Sequence, residues 1–234
     1  FLSFVLKEKA EPRELSEDGE EIVVKKDPKD SAYKDKLYLF FAIFVMLNAM
    51  IFGQLWNTMP IYFTQFLEIS KDDYGWIMLI NGMLIVIFEM PIVYLLENKY
   101  DKIQLVIVGV AMITFSYLIY NLTDFWQIAI AISIISVSFG EILALPFSNA
   151  FALSRSKPGR RGEYMGVFTM AWAIAMIIAP TLGGWIADNF GYTTLFYVLT
   201  GIGTVSCLGF YVLKLKLDEE QIAIIKSKET LFVE

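Results

Sequence analysis

The chain has 234 residues, 56% of them hydrophobic, with 19 Lys and Arg against 25 Asp and Glu and a formal net charge of −6. A mean hydropathy of +0.56, with charges kept out of long segments, excludes a water-soluble domain built on one large core and points to an integral membrane protein. There is no histidine, so neither a histidine proton relay nor a His-ligated metal site is available, and the single Cys207 permits no internal disulfide. With no phosphate loop and no zinc-ligand spacing, the pattern is not that of an enzyme, and it calls for no cofactor, metal or nucleic acid.

Residues 1–6 (FLSFVL) are apolar and stop at Lys7, without the basic region that opens a signal peptide; they read as the tail of a preceding transmembrane helix. Residues 7–36 mix both charge signs with Pro12 and Pro28 and read as a solvated, flexible linker. Six apolar runs follow between residues 37 and 213: Leu37 to Leu67, Tyr74 to Leu96, Ile103 to Tyr120, Phe125 to Leu153, Tyr164 to Ala187, and Thr193 to Leu213. Each is long enough to cross a hydrocarbon core as a helix, which takes about 20 residues. The tail, residues 214–234, is polar with some apolar positions, the pattern of a short amphipathic helix. The expected fold is all-α, a bundle of six transmembrane helices.

The basic residues set an orientation. Eight lie in the linker, Lys99 and Lys102 between runs two and three, Arg155, Lys157, Arg160 and Arg161 between runs four and five, and Lys214, Lys216, Lys226 and Lys228 in the tail. Only Lys71 falls in a turn on the opposite side. This alternation puts both ends of the chain on the cytoplasmic side of a plasma, or bacterial inner, membrane.

The fourth run is the most informative. Its one charge is Glu141, near the middle. A carboxylate at that depth costs about 3 kcal/mol on insertion scales, so it persists only with a partner, a proton or a water-filled cavity. At helical spacing Ser138, Leu145, Ser148 and Asn149 share its face, and Pro146 removes a backbone hydrogen bond one turn on, which predicts a bend. Glu141, with Ser138 and Asn149, is the candidate proton or substrate site; the structural alternative is a hydrogen bond between helices. Run two carries Asn81 and Glu89 on one face, with Pro91 two residues on, and Glu89 joins the candidate site. Run one carries Asn48, Gln54 and Asn57, interrupted by Gly53 and Pro60. With Trp56 and Asn81 these are the candidate lining of a shared polar interior, the alternative being helix-to-helix hydrogen bonds. Runs three and six carry hydroxyls, the amide of Gln104 and a thiol but no ionisable group within the membrane, which suits lipid contact. In run five Ala171, Ala175, Ala179, Gly183 and Ala187 recur every four residues, with Pro180 and Gly184 beside them. Small residues at that spacing let helix backbones approach closely, for packing or for a sliding interface.

Arg161-Gly162-Glu163-Tyr164-Met165-Gly166 and then Ala179-Pro180-Thr181-Leu182-Gly183-Gly184-Trp185 resemble the eleventh helix of major facilitator superfamily transporters. The second stretch is similar to that family's G-P-x-x-G-G antiporter motif, with Ala179 in place of the usual glycine. Gly140-Glu141-Ile142-Leu143 and Pro146 resemble the tenth helix of several branches, drug antiporters among them. Of the family's G-x-L-x-D-R-x-G-R-K loop motif only Leu95, Glu97 and Lys102 stand between runs two and three, and its glycines are gone.

The resemblance runs from residue 1 to about 214 and implies the C-terminal half of such a transporter: end of helix six, central linker, helices seven to twelve. It implies an N-terminal six-helix half as partner and a substrate site between the halves at the midplane. Runs one and four would line that cavity, runs two and five would meet the other half, and runs three and six would lie outside. The expected function is secondary transport of a small molecule with the proton as coupling ion, in the manner of a drug or amphiphile efflux antiporter. A sugar or peptide symporter is the alternative within the class, and a non-transporting receptor or scaffold the alternative outside it.

Overall fold

The computed structural model describes residues 13–15, 21–23 and 30–231. The expected helix tail at residues 1–6 lies outside them, as does most of the linker. Within the linker, β1 (Arg13–Leu15) pairs antiparallel with β2 (Glu21–Val23), Glu14 opposite Ile22. The flexible reading missed this short ladder. Its sequence basis is the β-branched Ile22-Val23 pair.

The remainder is helical. α1 (Lys36–Asn57) starts at Asp35, whose carboxylate caps the Tyr38 N–H. At Thr58 the regular helix stops, where Pro60 withholds a backbone donor, and the chain goes on as one turn (Met59–Ile61) and a π-helical turn (Tyr62–Phe66). α2 (Lys71–Leu96) is capped by Ser70, with Asp72 and Asp73 at the positive end of its dipole. α3 (Lys102–Leu118) ends in a 3-10 turn, Ile119–Asn121. α4 (Trp126–Arg155) continues through Pro146 as one helix. The last helical run, Arg161–Leu231, is broken at Gly191, whose φ of 82° and ψ of 166° are not helical. Gly191 therefore separates α5, residues 161–190, from α6, residues 192–231, as the sequence expected between runs five and six. Taken without that break, the stretch Arg161–Ala223 has 63 residues. That is roughly 95 Å at 1.5 Å per residue, three times the thickness of a bilayer core, and two crossings account for it.

The bundle is held by close crossings and two aromatic clusters. α3 crosses α4 at Gly109 and Gly140: a Cβ on Gly109 would come 2.5 Å from the Ala144 nitrogen, and one on Gly140 would come 2.7 Å from Ile113 Cγ1. Near the end where the linker enters, Phe41 packs on Phe151, Phe168 and Phe210, joining α1, α4, α5 and α6. At the opposite end Tyr62 packs on Tyr120, Tyr192 and Phe196. α2 stands apart. Its most apolar stretch is 6% buried, against 61% in α1, α3 and α4, and it packs chiefly on α4.

Candidate functional site

The Gly109–Gly140 crossing fixes the α4 backbone one residue before Glu141, so the position of that carboxylate is set by close packing rather than by a loop. Glu141 is half-buried, and its Oε2 is sequestered from solvent with no hydrogen-bond partner. Glu89 of α2 is half-buried and follows Phe88, whose ring packs on that of Phe139, two residues before Glu141. A buried carboxylate oxygen left unpaired beside a second acid is costly unless a proton or a cation sits there. One turn earlier on α4, Ser138 is fully buried; it accepts a 2.8 Å hydrogen bond from Asn81 Nδ2 and donates to the Ile134 carbonyl. Asn81, 2% exposed, is the polar tie between α2 and α4, and Phe88 and Phe139 pack 5.6 Å apart beside the two acids. Ser138, Asn81, Glu89 and Glu141 thus meet along one interface.

The other expected site residues go elsewhere. Asn149 is exposed, whereas its neighbour Ser148 is buried and donates to the Leu145 carbonyl of its own helix. Gln54 is 1% exposed and clamps α1 to α5: Nε2 donates to the Ala179 carbonyl at 2.7 Å, and Oε1 accepts from Thr58 Oγ1 at 2.5 Å. Asn57 folds back onto the Gly53 carbonyl at 2.7 Å, and Trp56 is 56% exposed. Asn48 is buried with its Oδ1 unpartnered. Among the described residues, the hydrogen bonds of Gln54 and Asn57 run within the α1 segment and to α5, not to Asn81 or Glu141.

The small-residue stripe of α5 has a definite neighbour. Ala171, Ala175, Ala179 and Gly183 are buried, and a Cβ on Gly53 of α1 would come 3.0 Å from Ala179 Cβ. These residues seat α5 on α1. Pro180 is exposed and Gly184 half-buried, next to the outward-facing Ile177, Ile178, Thr181 and Trp185.

One cluster escaped the sequence reading. At the linker end, Arg155 closes α4 by donating from Nε to Asp35 at 2.8 Å and from Nη1 to Glu220 at 2.6 Å. Tyr164 donates to Asp35 at 3.2 Å, and Tyr38 donates to the Tyr164 carbonyl at 2.6 Å. Beside them Glu163 accepts from Ser31, from the Ala32 N–H and from Arg160. Burial pushes the Asp35 carboxyl up, but the hydrogen bonds from Arg155 and the Tyr38 N–H outweigh it and hold it below its ordinary range. The network ties the chain entering α1 to α4, α5 and α6. Its signal in the sequence was an acid two residues before an apolar run and an arginine two residues after another.

A bundle of apolar helices long enough to cross a bilayer, with paired acids inside one helix contact, defines a polytopic integral membrane protein. Residues 39–233 match the Major Facilitator Superfamily, and the chain belongs to that family. It is 27% identical over 203 residues to the uncharacterized MFS-type transporter YhcA of Bacillus subtilis, which covers 84% of this chain and 37% of the relative. It is 23% identical over 178 residues to the uncharacterized MFS-type transporter YqjV of the same organism, covering 75% of this chain and 43% of the relative. It is 25% identical over 115 residues to the multidrug export protein EmrB of Haemophilus influenzae, covering 49% of this chain and 22% of the relative. The chain spans less than half the length of each of these relatives.

Proposed function

We propose that this chain is the C-terminal half of a proton-coupled secondary transporter that exports small amphiphilic molecules, with Glu141 as the group that exchanges a proton for substrate. The observation that carries this reading is the sequestered, unpartnered Glu141 Oε2 of α4, next to the Phe88–Phe139 contact that brings Glu89 of α2 alongside. An acid that can be neutralised by a proton or by an organic cation, but not by both at once, couples the two flows. Glu89 tunes that exchange as the neighbouring charge, and the Asn81–Ser138 bond holds the two helices in register. The export protein among the relatives favours an efflux direction. In this reading the N-terminal half supplies the rest of the cavity, against the open faces of α2 and α5, and the linker, the turn before α5 and the tail are cytoplasmic.

The test is transport of ethidium, a cationic amphiphile, by the full-length protein in proteoliposomes. A pH gradient should drive ethidium accumulation, and a protonophore should abolish it. Accumulation that ignores the protonophore, or none above empty vesicles, contradicts the proposal.

A further inference from the structure

Two helices weaken where they touch. α1 stops at Thr58, two residues before Pro60, and goes on as the single turn Met59–Ile61 and the π-helical turn Tyr62–Phe66. α5 stays helical, but Pro180 has no N–H for the Met176 carbonyl, and Gly183 and Gly184 follow one turn later. The side chain of Gln54, 1% exposed, joins the two weak points. Thr58 Oγ1 donates to its Oε1, and its Nε2 donates to the carbonyl of Ala179, the residue before Pro180. The α5 backbone at Gly183 lies so close that a Cβ there would come 2.5 Å from Thr58 Oγ1. A buried amide held at both ends is costly to pull away, because each group it leaves behind stays desolvated. The break in α1 and the proline of α5 therefore form one joint, crossed by a hydrogen-bonded chain from Thr58 through Gln54 to Ala179.

Beyond that joint, towards the end of the bundle opposite the linker, the two helices are tied again. Tyr62 packs on Tyr192 and Phe196, with 4.8 and 5.0 Å between ring centroids, and Phe66 packs on Tyr192 at 5.2 Å. Tyr192 follows Gly191, where α5 gives way to α6, so these rings fasten the far end of α1 to the end of α5. Tyr120, at the end of α3, closes the cluster 4.8 Å from Phe196, and Phe63 reaches Tyr74 of α2 at 5.9 Å. The side towards α4 is different. There a cavity of about 590 Å³ is bordered by Leu67, Glu68 and Ile69, which continue α1, and by Trp126, Gln127 and Ile130 of α4. A segment fastened on one side and bordered by a cavity on another has its room to move on the cavity side.

We infer that Gln54 is a positioning residue: through it the far segment of α1, residues 59–66, and the far part of α5, residues 181–190, turn as one body about the Thr58–Ala179 joint, towards and away from the first turns of α4. A methionine in its place fills a similar volume but holds neither Thr58 nor the Ala179 carbonyl, and the two segments then turn separately. The inference rests on the transporter reading for the purpose of the movement, which is to open and close that end of the bundle over Glu141.

The experiment measures distances between spin labels by double electron–electron resonance in the full-length protein, in a background without other cysteines, with and without saturating ethidium. One labelled pair, Gln65→Cys with Asp188→Cys, lies within the proposed body; the other, Gln65→Cys with Gln127→Cys, spans the cavity, and all three positions are exposed. With Gln54 in place, the 65–127 distance should shift by about 5 Å on adding ethidium, the scale of one helical turn, while the 65–188 distance stays within about 2 Å. In Gln54→Met the 65–188 distribution should split into two distances. Thr58→Val, which keeps the shape and removes only the hydroxyl, should broaden that distribution too, and it stands in if Gln54→Met does not fold. A 65–188 distance that shifts with Gln54 in place, or one that both variants leave sharp, overturns the assignment and makes Gln54 a packing residue. Two pairs that both ignore ethidium overturn it as well; ethidium accumulation by the same preparation in proteoliposomes then shows whether the transporter reading has failed with it.

Discussion

Gly183 shows how much can rest on one missing side chain. A Cβ there would overlap Gln54 Oε1 and come 2.5 Å from Thr58 Oγ1, a hydrogen-bonded pair of the α1 segment, and so displace the Gln54 amide whose Nε2 ties α1 to α5. Gly183→Ala should therefore lower the stability of the full-length protein by about 1–3 kcal/mol, the usual cost of overpacking. Thermal unfolding in detergent would register it, and adding Gln54→Ala should recover part of the loss. Equal melting of wild type and Gly183→Ala would mean that the clamp is not tight. At this scale the sequence was uneven. Glu141 was legible because a lone charge in an apolar helix has no ordinary explanation. The role of Gln54 was not, because its partner is a backbone carbonyl 125 positions away, and a carbonyl has no sequence signature. Asn149 was placed with Glu141 by helical spacing, but spacing sets a direction on one helix and not what packs there. The neighbours leave Ser148 buried and Asn149 exposed.

Among elements, the end of α4 and the extension of α6 depend on each other through Arg155. Asp35 is an ordinary carboxylate with a reference value of 3.8, held lower in the folded protein by its hydrogen bonds despite burial. A group lowered in this way contributes stability that is complete above its unfolded value and fades as pH falls through its folded one. Between pH 7 and 5 the latch should thus be insensitive to pH. Below about 4, as Asp35 takes up a proton, the α6 extension should loosen, seen as faster hydrogen exchange after residue 214. Arg155→Met should produce that loosening at neutral pH; unchanged exchange in the variant would show that the extension is held by something else. Helix existence was legible because about 20 apolar residues must be a span in a bilayer. The boundary between α5 and α6 was legible as well, since the polar and glycine-containing stretch Asp188-Asn189-Phe190-Gly191 interrupts the apolar pattern and Gly191 takes the positive φ. At Pro146 the helix carries through, because one lost hydrogen bond is tolerated where neighbours support both sides.

For the molecule as a whole, α2 is weakly buried and Trp76, Met83, Val86 and Met90 stand exposed along it; in the proposed reading this face and the outward side of α5 would meet a second bundle. The 234-residue chain by itself should accordingly show no ethidium transport, since alternating access needs one bundle to rock against another; uptake by this chain alone would contradict that. Single cysteines in place of Lys71 and Lys157 should react with a membrane-impermeant maleimide from opposite sides, and reaction from the same side would undo the topology. The central claim is that Glu141 carries the exchanged proton. Its most direct test compares ethidium flux by the full-length wild type and Glu141→Gln in proteoliposomes, once with a pH gradient and once as exchange without one. Glutamine keeps the size and much of the hydrogen bonding while fixing the neutral form, so the account predicts gradient-driven flux reduced about tenfold or more, the loss of a single obligatory step, with exchange retained. Gradient-driven flux left intact in Glu141→Gln would contradict it and make this carboxylate a structural one.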